Sequence, residues 1–75
     1  MIIFTENDDE MSYNGERINR EETNSLSFTN ENGDTIVLEF STRKDRDDAI
    51  DSIKEAYDED EDTLYLDNVE RFSEE

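Results

Sequence analysis

The chain contains no cysteine and no histidine, and only seven of its 75 residues are lysine or arginine. Without cysteine there is neither a disulfide nor a thiolate site; a reducing compartment fits this absence, which does not by itself fix one. Nucleophilic catalysis needs a Ser, Thr, Cys or Lys activated by a base, most often His. That base is missing, and neither Lys44 nor Lys54 lies in an apolar segment that would activate it. Paired carboxylates serve glycoside hydrolysis only within a cleft that raises one pKa, and so short a chain has little interior from which to build one. The sequence therefore predicts a protein that is not an enzyme and takes no cofactor. It has no Gly-rich loop to cradle phosphate, and no basic patch with interleaved aromatics to hold nucleic acid. The apolar run Met1 to Phe4 is too short for a signal peptide or a membrane span, and a soluble, cytoplasmic protein is expected.

What the chain has in abundance is acid. Its 24 aspartates and glutamates leave a formal charge of −17 and a pI near 4.1. Such a charge opposes compaction by self-repulsion, disfavours approach to DNA, RNA or anionic membranes, and favours a basic partner. Only 31% of residues are hydrophobic, a composition close to that of disordered chains. Their periodicity, however, is that of a folded chain. The length allows one domain, residues 1–75, with one small core.

Taken in order, Met1 to Thr5 reads as a strand with Ile2 and Phe4 inward and Ile3 outward. Glu6 to Glu10 is an acidic turn. Met11–Tyr13 and Glu16–Ile18 flank Asn14-Gly15, a dipeptide suited to a hairpin turn, and Asn19–Asn24 is a loop. Ser25–Asn30 alternates with Leu26 and Phe28 inward. After Asn32-Gly33, Thr35–Ser41 alternates again, with Ile36, Leu38 and Phe40 inward. A helix follows from about Thr42 to Asp58, then a strand Thr63–Asp67 with Leu64 and Leu66 inward, and a last turn carrying Val69 and Phe72. This order predicts an α+β fold: a small antiparallel sheet of four to five strands, including two hairpins, with one helix on one face. The expected core also takes Ile50, Ile53 and Tyr57 from the helix. Ile3, Val37 and Tyr65 would point away from it, either as ordinary surface residues or as a homodimer face.

The helix organises the functional reading. At about 100° per residue, Ala49, Ile50, Ile53, Ala56 and Tyr57 form one stripe, and Asp47, Asp51, Glu55 and Asp58 fall on the opposite side. Neighbouring carboxylates on that ladder lie roughly 6 Å apart along the axis. Thr42 or Ser41 is placed to cap the first turn, with Asp45 three residues after Thr42. Arg43, Lys44 and Arg46 crowd the positive end, while Asp58, Glu59, Asp60, Glu61 and Asp62 crowd the negative end, where no Gly or Asn offers a C-cap. The pairs Arg43–Asp47 and Lys44–Asp48 offset this only in part. An acidic run placed against the helix dipole is not there for folding, and the plainer alternative is a solvated helix end. Asp58, Asp60 and Asp62 match the opening of an EF-hand loop, but Thr63 stands where Gly is required and Val69 where Glu is required, so no specific metal site is expected.

With this ladder, with Glu31, Asp34 and Glu39, and with the acids of residues 6–10, the chain resembles the small phage-encoded DNA-mimic proteins. The likeness is one of size, charge and layout over the whole chain; no motif defines the group. It implies an inhibitor, often dimeric, that occupies the DNA-binding surface of a basic host protein in the host bacterial cytoplasm. Targets of that group include restriction and repair enzymes, CRISPR nucleases, RNA polymerase and the nucleoid protein HU, the last favoured here because a small mimic suits a small, sequence-indifferent binder. The charge spread supports the same idea from the residues: phosphates stand about 3.4 Å apart along each DNA strand, and the ladder and outward strand positions about 6.8 Å apart offer a comparable row, on an elongated body. The partner-binding set would be Asp47, Asp48, Asp51, Glu55 and the run from Asp58 to Asp62. The alternatives are an acidic adaptor that binds a basic partner without competing with DNA, and a solvation adaptation to high salt.

Overall fold

Apolar residues recur with the period of a strand along most of the chain and with that of a helix once. The computed structural model, which describes residues 1–75, follows that division. Strands β1 (Ile2–Thr5), β2 (Glu10–Ser12), β3 (Asn19–Arg20), β4 (Ser25–Thr29) and β5 (Thr35–Phe40) precede helix α1 (Arg43–Asp58), and β6 (Thr63–Leu66) and β7 (Val69–Glu74) follow it. The fold is α+β, with the helix packed across β4, β5 and β6. The strands divide into two sheets rather than one: a three-stranded sheet in the order β2-β1-β6 and an antiparallel four-stranded sheet in the order β3-β4-β5-β7. Within the smaller sheet β1 and β6 run parallel. The long crossover between them includes the helix, as a parallel pair requires.

The β4–β5 hairpin forms where turn chemistry and alternation agree. Leu26 faces Leu38 and Phe28 faces Ile36, all four fully buried. In the turn, the Asn30 side-chain oxygen accepts from the amides of Asn32 and Asp34, both at 3.0 Å, and Gly33 takes a positive φ of 86°. The expected hairpin at Asn14-Gly15 does not form. β2 pairs instead with β1 across the acidic turn, where Asp8 adopts φ 65°, and β3 pairs with β4 within the segment expected to be a loop. The short polar arms around Asn14 had too little apolar surface to hold a separate hairpin. Gly15 is still required, because it has φ +89° and a Cβ there would lie 2.9 Å from the ring of Tyr57.

The parity of β1 is the reverse of the expected one. Ile3 is completely buried, level with Met11 on β2 and Leu64 on β6, whereas Ile2 and Phe4 are half-buried on the outer side. Ile3 is therefore a core residue and no part of an outer face. Three successive apolar residues give no alternation, and the neighbouring strands decided which side turned inward. Tyr57 also leaves the expected core: it is 40% exposed, with its hydroxyl donating to the Asn14 carbonyl at 3.2 Å and its ring edge-to-face with Tyr13. Its place is taken by Met11 and Tyr13, both buried. Leu64 is half-buried against the same core. Val69 and Phe72 lie in β7, paired with Phe40 and Leu38, not in a terminal turn. One cluster of 13 buried residues joins both sheets and the helix.

Candidate functional site

None of the 24 acidic residues is buried, so the fold places the entire negative charge at the surface. The molecule carrying it is nearly isometric, at 28 × 24 × 22 Å, and not the elongated body that the charge distribution led one to expect. Only three ion pairs form, and they involve just two of the acids, Asp47 and Asp48.

The helix carrying the ladder begins as its sequence requires. Thr42 is extended at φ −134°, and its hydroxyl accepts from the Asp45 amide at 3.1 Å. Ala49, Ile50, Ile53 and Ala56 are buried beneath it, which leaves Asp51, Glu55 and Asp58 exposed. The first rung, Asp47, has another role. Arg46, 6% exposed, points inward and donates to the Glu21 carbonyl at 3.1 Å; its other guanidinium nitrogens lie 3.0 and 3.1 Å from one Asp47 carboxylate oxygen. Arg20 on β3 reaches the same oxygen at 3.3 Å. Partial desolvation pushes the Asp47 carboxyl up, but the hydrogen bonds and charges of Arg46 and then Arg20 outweigh it and hold its pKa below the ordinary value. Asp47 is thus the counter-charge of a buried arginine. Asp48 is held by Lys44 at 2.8 Å, and its hydrogen bond and charge raise the lysine pKa. Asp47 takes Arg20 and Arg46 in place of Arg43. Arg43, Lys44 and Arg46 gather at the first turn of the helix, so the unpaired carboxylates of the ladder begin at Asp51, with exposed Lys54, which forms no ion pair, standing among them.

The acidic run after the helix is held in a defined conformation. Glu59 closes the helix; the Asp60 amide donates to the Tyr57 carbonyl at 3.1 Å, and the Glu61 amide donates to the Ala56 carbonyl at 3.0 Å. These are the paired bonds of a Schellman motif, with Asp60 at φ 58° in the left-handed position that glycine normally takes. The Asp62 carbonyl then accepts from the Ile2 amide at 2.9 Å, which ties the run to β1. The sequence showed no C-cap because the motif is built with an aspartate, at a cost of about 1 kcal/mol or more for a non-glycine residue with positive φ. Asp60→Gly is expected to raise stability by about 1 kcal/mol, since it relieves the backbone and removes a charge from the negative end of the dipole. Thermal melting of the variant checks this; an unchanged or lower Tm would show that Asp60 is not strained.

Nowhere do three acidic side chains converge in an arrangement that would hold a metal ion. No helix is long and apolar enough to cross a membrane. The residue that sequence reasoning missed is Arg46, whose burial follows from its place beside the Ala49–Ile50–Ile53 stripe, one turn earlier. No family model matches this chain, and searches of curated proteins and of solved structures find no similar one.

Proposed function

We propose that this protein inhibits a basic DNA-binding protein by occupying its phosphate-contacting surface. The observation that carries the reading is the ordered, unpaired acidic surface that runs from Asp51 through Glu55 and Asp58 to the capped segment ending at Asp62. Carboxylates carried on one face of an ordered helix are spaced by roughly 6 Å along its axis, and the longest dimension of 28 Å spans about eight phosphates of one DNA strand. A surface that binds DNA by exchanging counterions for Lys and Arg contacts accepts such a row for the same electrostatic reason. The charge that attracts this partner also keeps the protein itself from DNA. A nucleoid protein such as HU, small and indifferent to base sequence, is the favoured target, with a defence or repair nuclease as the other class.

The test is competition. Labelled DNA bound to HU is titrated with this protein, and the expected result is release of DNA in proportion to protein added, weakening steeply as salt rises. A stable ternary complex of HU, DNA and this protein would overturn the mimicry and leave an acidic adaptor in its place.

A further inference from the structure

β6 lies at the edge of its sheet, with β1 on one side and no strand on the other. The Ile2 amide donates to the Asp62 carbonyl, so the alternation of a parallel ladder turns the backbone groups of Asp62, Leu64 and Leu66 toward β1. Thr63 and Tyr65 therefore direct their backbone N–H and C=O groups to the open edge. A free edge of this kind is a template for a further strand.

The space along the edge is already shaped. Two adjoining hollows, of about 190 and 320 Å³, run between β6 and the flank of α1 and meet at Ser52. Their helix side carries small residues, Ala49, Ser52 and Ala56, at the spacing of successive turns. Their length, from Asp45 to Glu59, is about 21 Å at 1.5 Å per residue, enough for a strand of about six residues. Carboxylates stand on both rims: Asp45, Asp48, Glu55 and Glu59 from the helix, Glu61 and Asp67 from the flanks of β6. The ring of Tyr65 is 73% exposed and stacked on Phe4 at 5.3 Å, which holds an aromatic surface beside the groove.

We infer that this groove takes an extended basic segment of the partner protein, which adds as a strand to the open edge of β6 while its lysines and arginines meet the rim carboxylates. Main-chain hydrogen bonds supply part of the affinity and alternate side chains supply the specificity, as in other cases of strand addition. The same rim excludes another copy of this chain, because an approaching β6 would bring its own carboxylates against those of the first. The inference rests on the proposed basic partner, but it does not require that DNA be displaced.

Two eight-residue peptides separate the backbone contribution from charge alone. One alternates arginine and threonine. The other has the same sequence with N-methyl groups on alternate backbone nitrogens, prepared in both registers, so that charge is kept and donors are lost. The first peptide is expected to bind, and at least one methylated register to bind at least tenfold more weakly. On binding, the Thr63 and Tyr65 amides should exchange with solvent at least tenfold more slowly. Equal affinity of both methylated peptides and the parent, or no change in exchange at Thr63 and Tyr65, overturns the proposal. So does protection of these amides that grows with the concentration of the protein alone, since a second copy would then hold the edge. The outcome is independent of the DNA competition: a peptide on β6 together with a ternary complex would retain the groove and remove mimicry. DNA release with no protection at β6 would do the reverse.

Discussion

Ile53→Asp is expected to abolish the fold, seen as loss of helical circular dichroism and of a cooperative melt. Ile53 is completely buried where the helix meets the sheets, in one cluster with Ile50, Leu26, Phe28, Ile36 and Leu38. The substitution removes burial worth about 1.5–3 kcal/mol for a large aliphatic side chain. It also leaves a carboxylate in a site with no cation, which costs several kcal/mol more, whether the group stays charged or takes up a proton. A domain of 75 residues has about 4–11 kcal/mol of stability in all, at 0.05–0.15 kcal/mol per residue. Self-repulsion at −17 holds this one toward the lower end. Asp51→Asn, two positions away and exposed, is the control and should retain the wild-type spectrum. A native melt for Ile53→Asp would mean that the helix presents a different face to the core.

Changing Asp51, Glu55, Asp58 and Glu61 together to their amides is expected to keep the fold and to weaken binding to the basic partner roughly 4- to 1000-fold, at about 0.2–1 kcal/mol for each exposed charge lost. None of the four forms an ion pair within the chain, and all are exposed. The Tm should hold or rise, because repulsion falls and two of the four lie where the helix dipole is negative. Asp47 is left unchanged deliberately. As the counter-charge of buried Arg46, its replacement would destabilise the domain and confuse a folding defect with a binding one. Four amides at exposed acids off the helix (Glu10, Glu22, Glu31 and Glu74) provide the comparison. Isothermal titration of the partner with both variants decides the matter. Equal weakening by the two sets would show that total charge, not the helix and its capped end, makes the contact.

These two experiments treat Asp47 and Asp51 differently, although the sequence places them on one face of one helix. Periodicity assigned Asp51 correctly as a free, outward carboxylate. It had no means of showing that Arg20, 27 residues away on β3, would arrive beside Asp47, or that Arg46 would turn inward and take the same oxygen. A hydrophobic period reports the side of a helix on which a residue sits, and ion pairs with another strand depend on distances that only the assembled sheets define.

The same division runs through the fold. The helix from Arg43 to Asp58, its Thr42 cap and the β4–β5 hairpin were legible in the sequence, because each rests on interactions within a few residues: a side-chain cap, a 3.6-residue stripe, and a turn between two alternating strands. The formal charge of −17 and its display at the surface were equally determined, since a small core has no room for 24 carboxylates. Tertiary structure alone decided the parity of β1, where Ile2, Ile3 and Phe4 give no alternation and the pairing with Met11 and Leu64 selects Ile3. It also decided the division into two sheets, the place of Val69–Glu74 as a strand beside β5, and the open edge of β6 beside the helix flank. Each of these depends on which distant strands find one another, and local sequence carries no record of that choice.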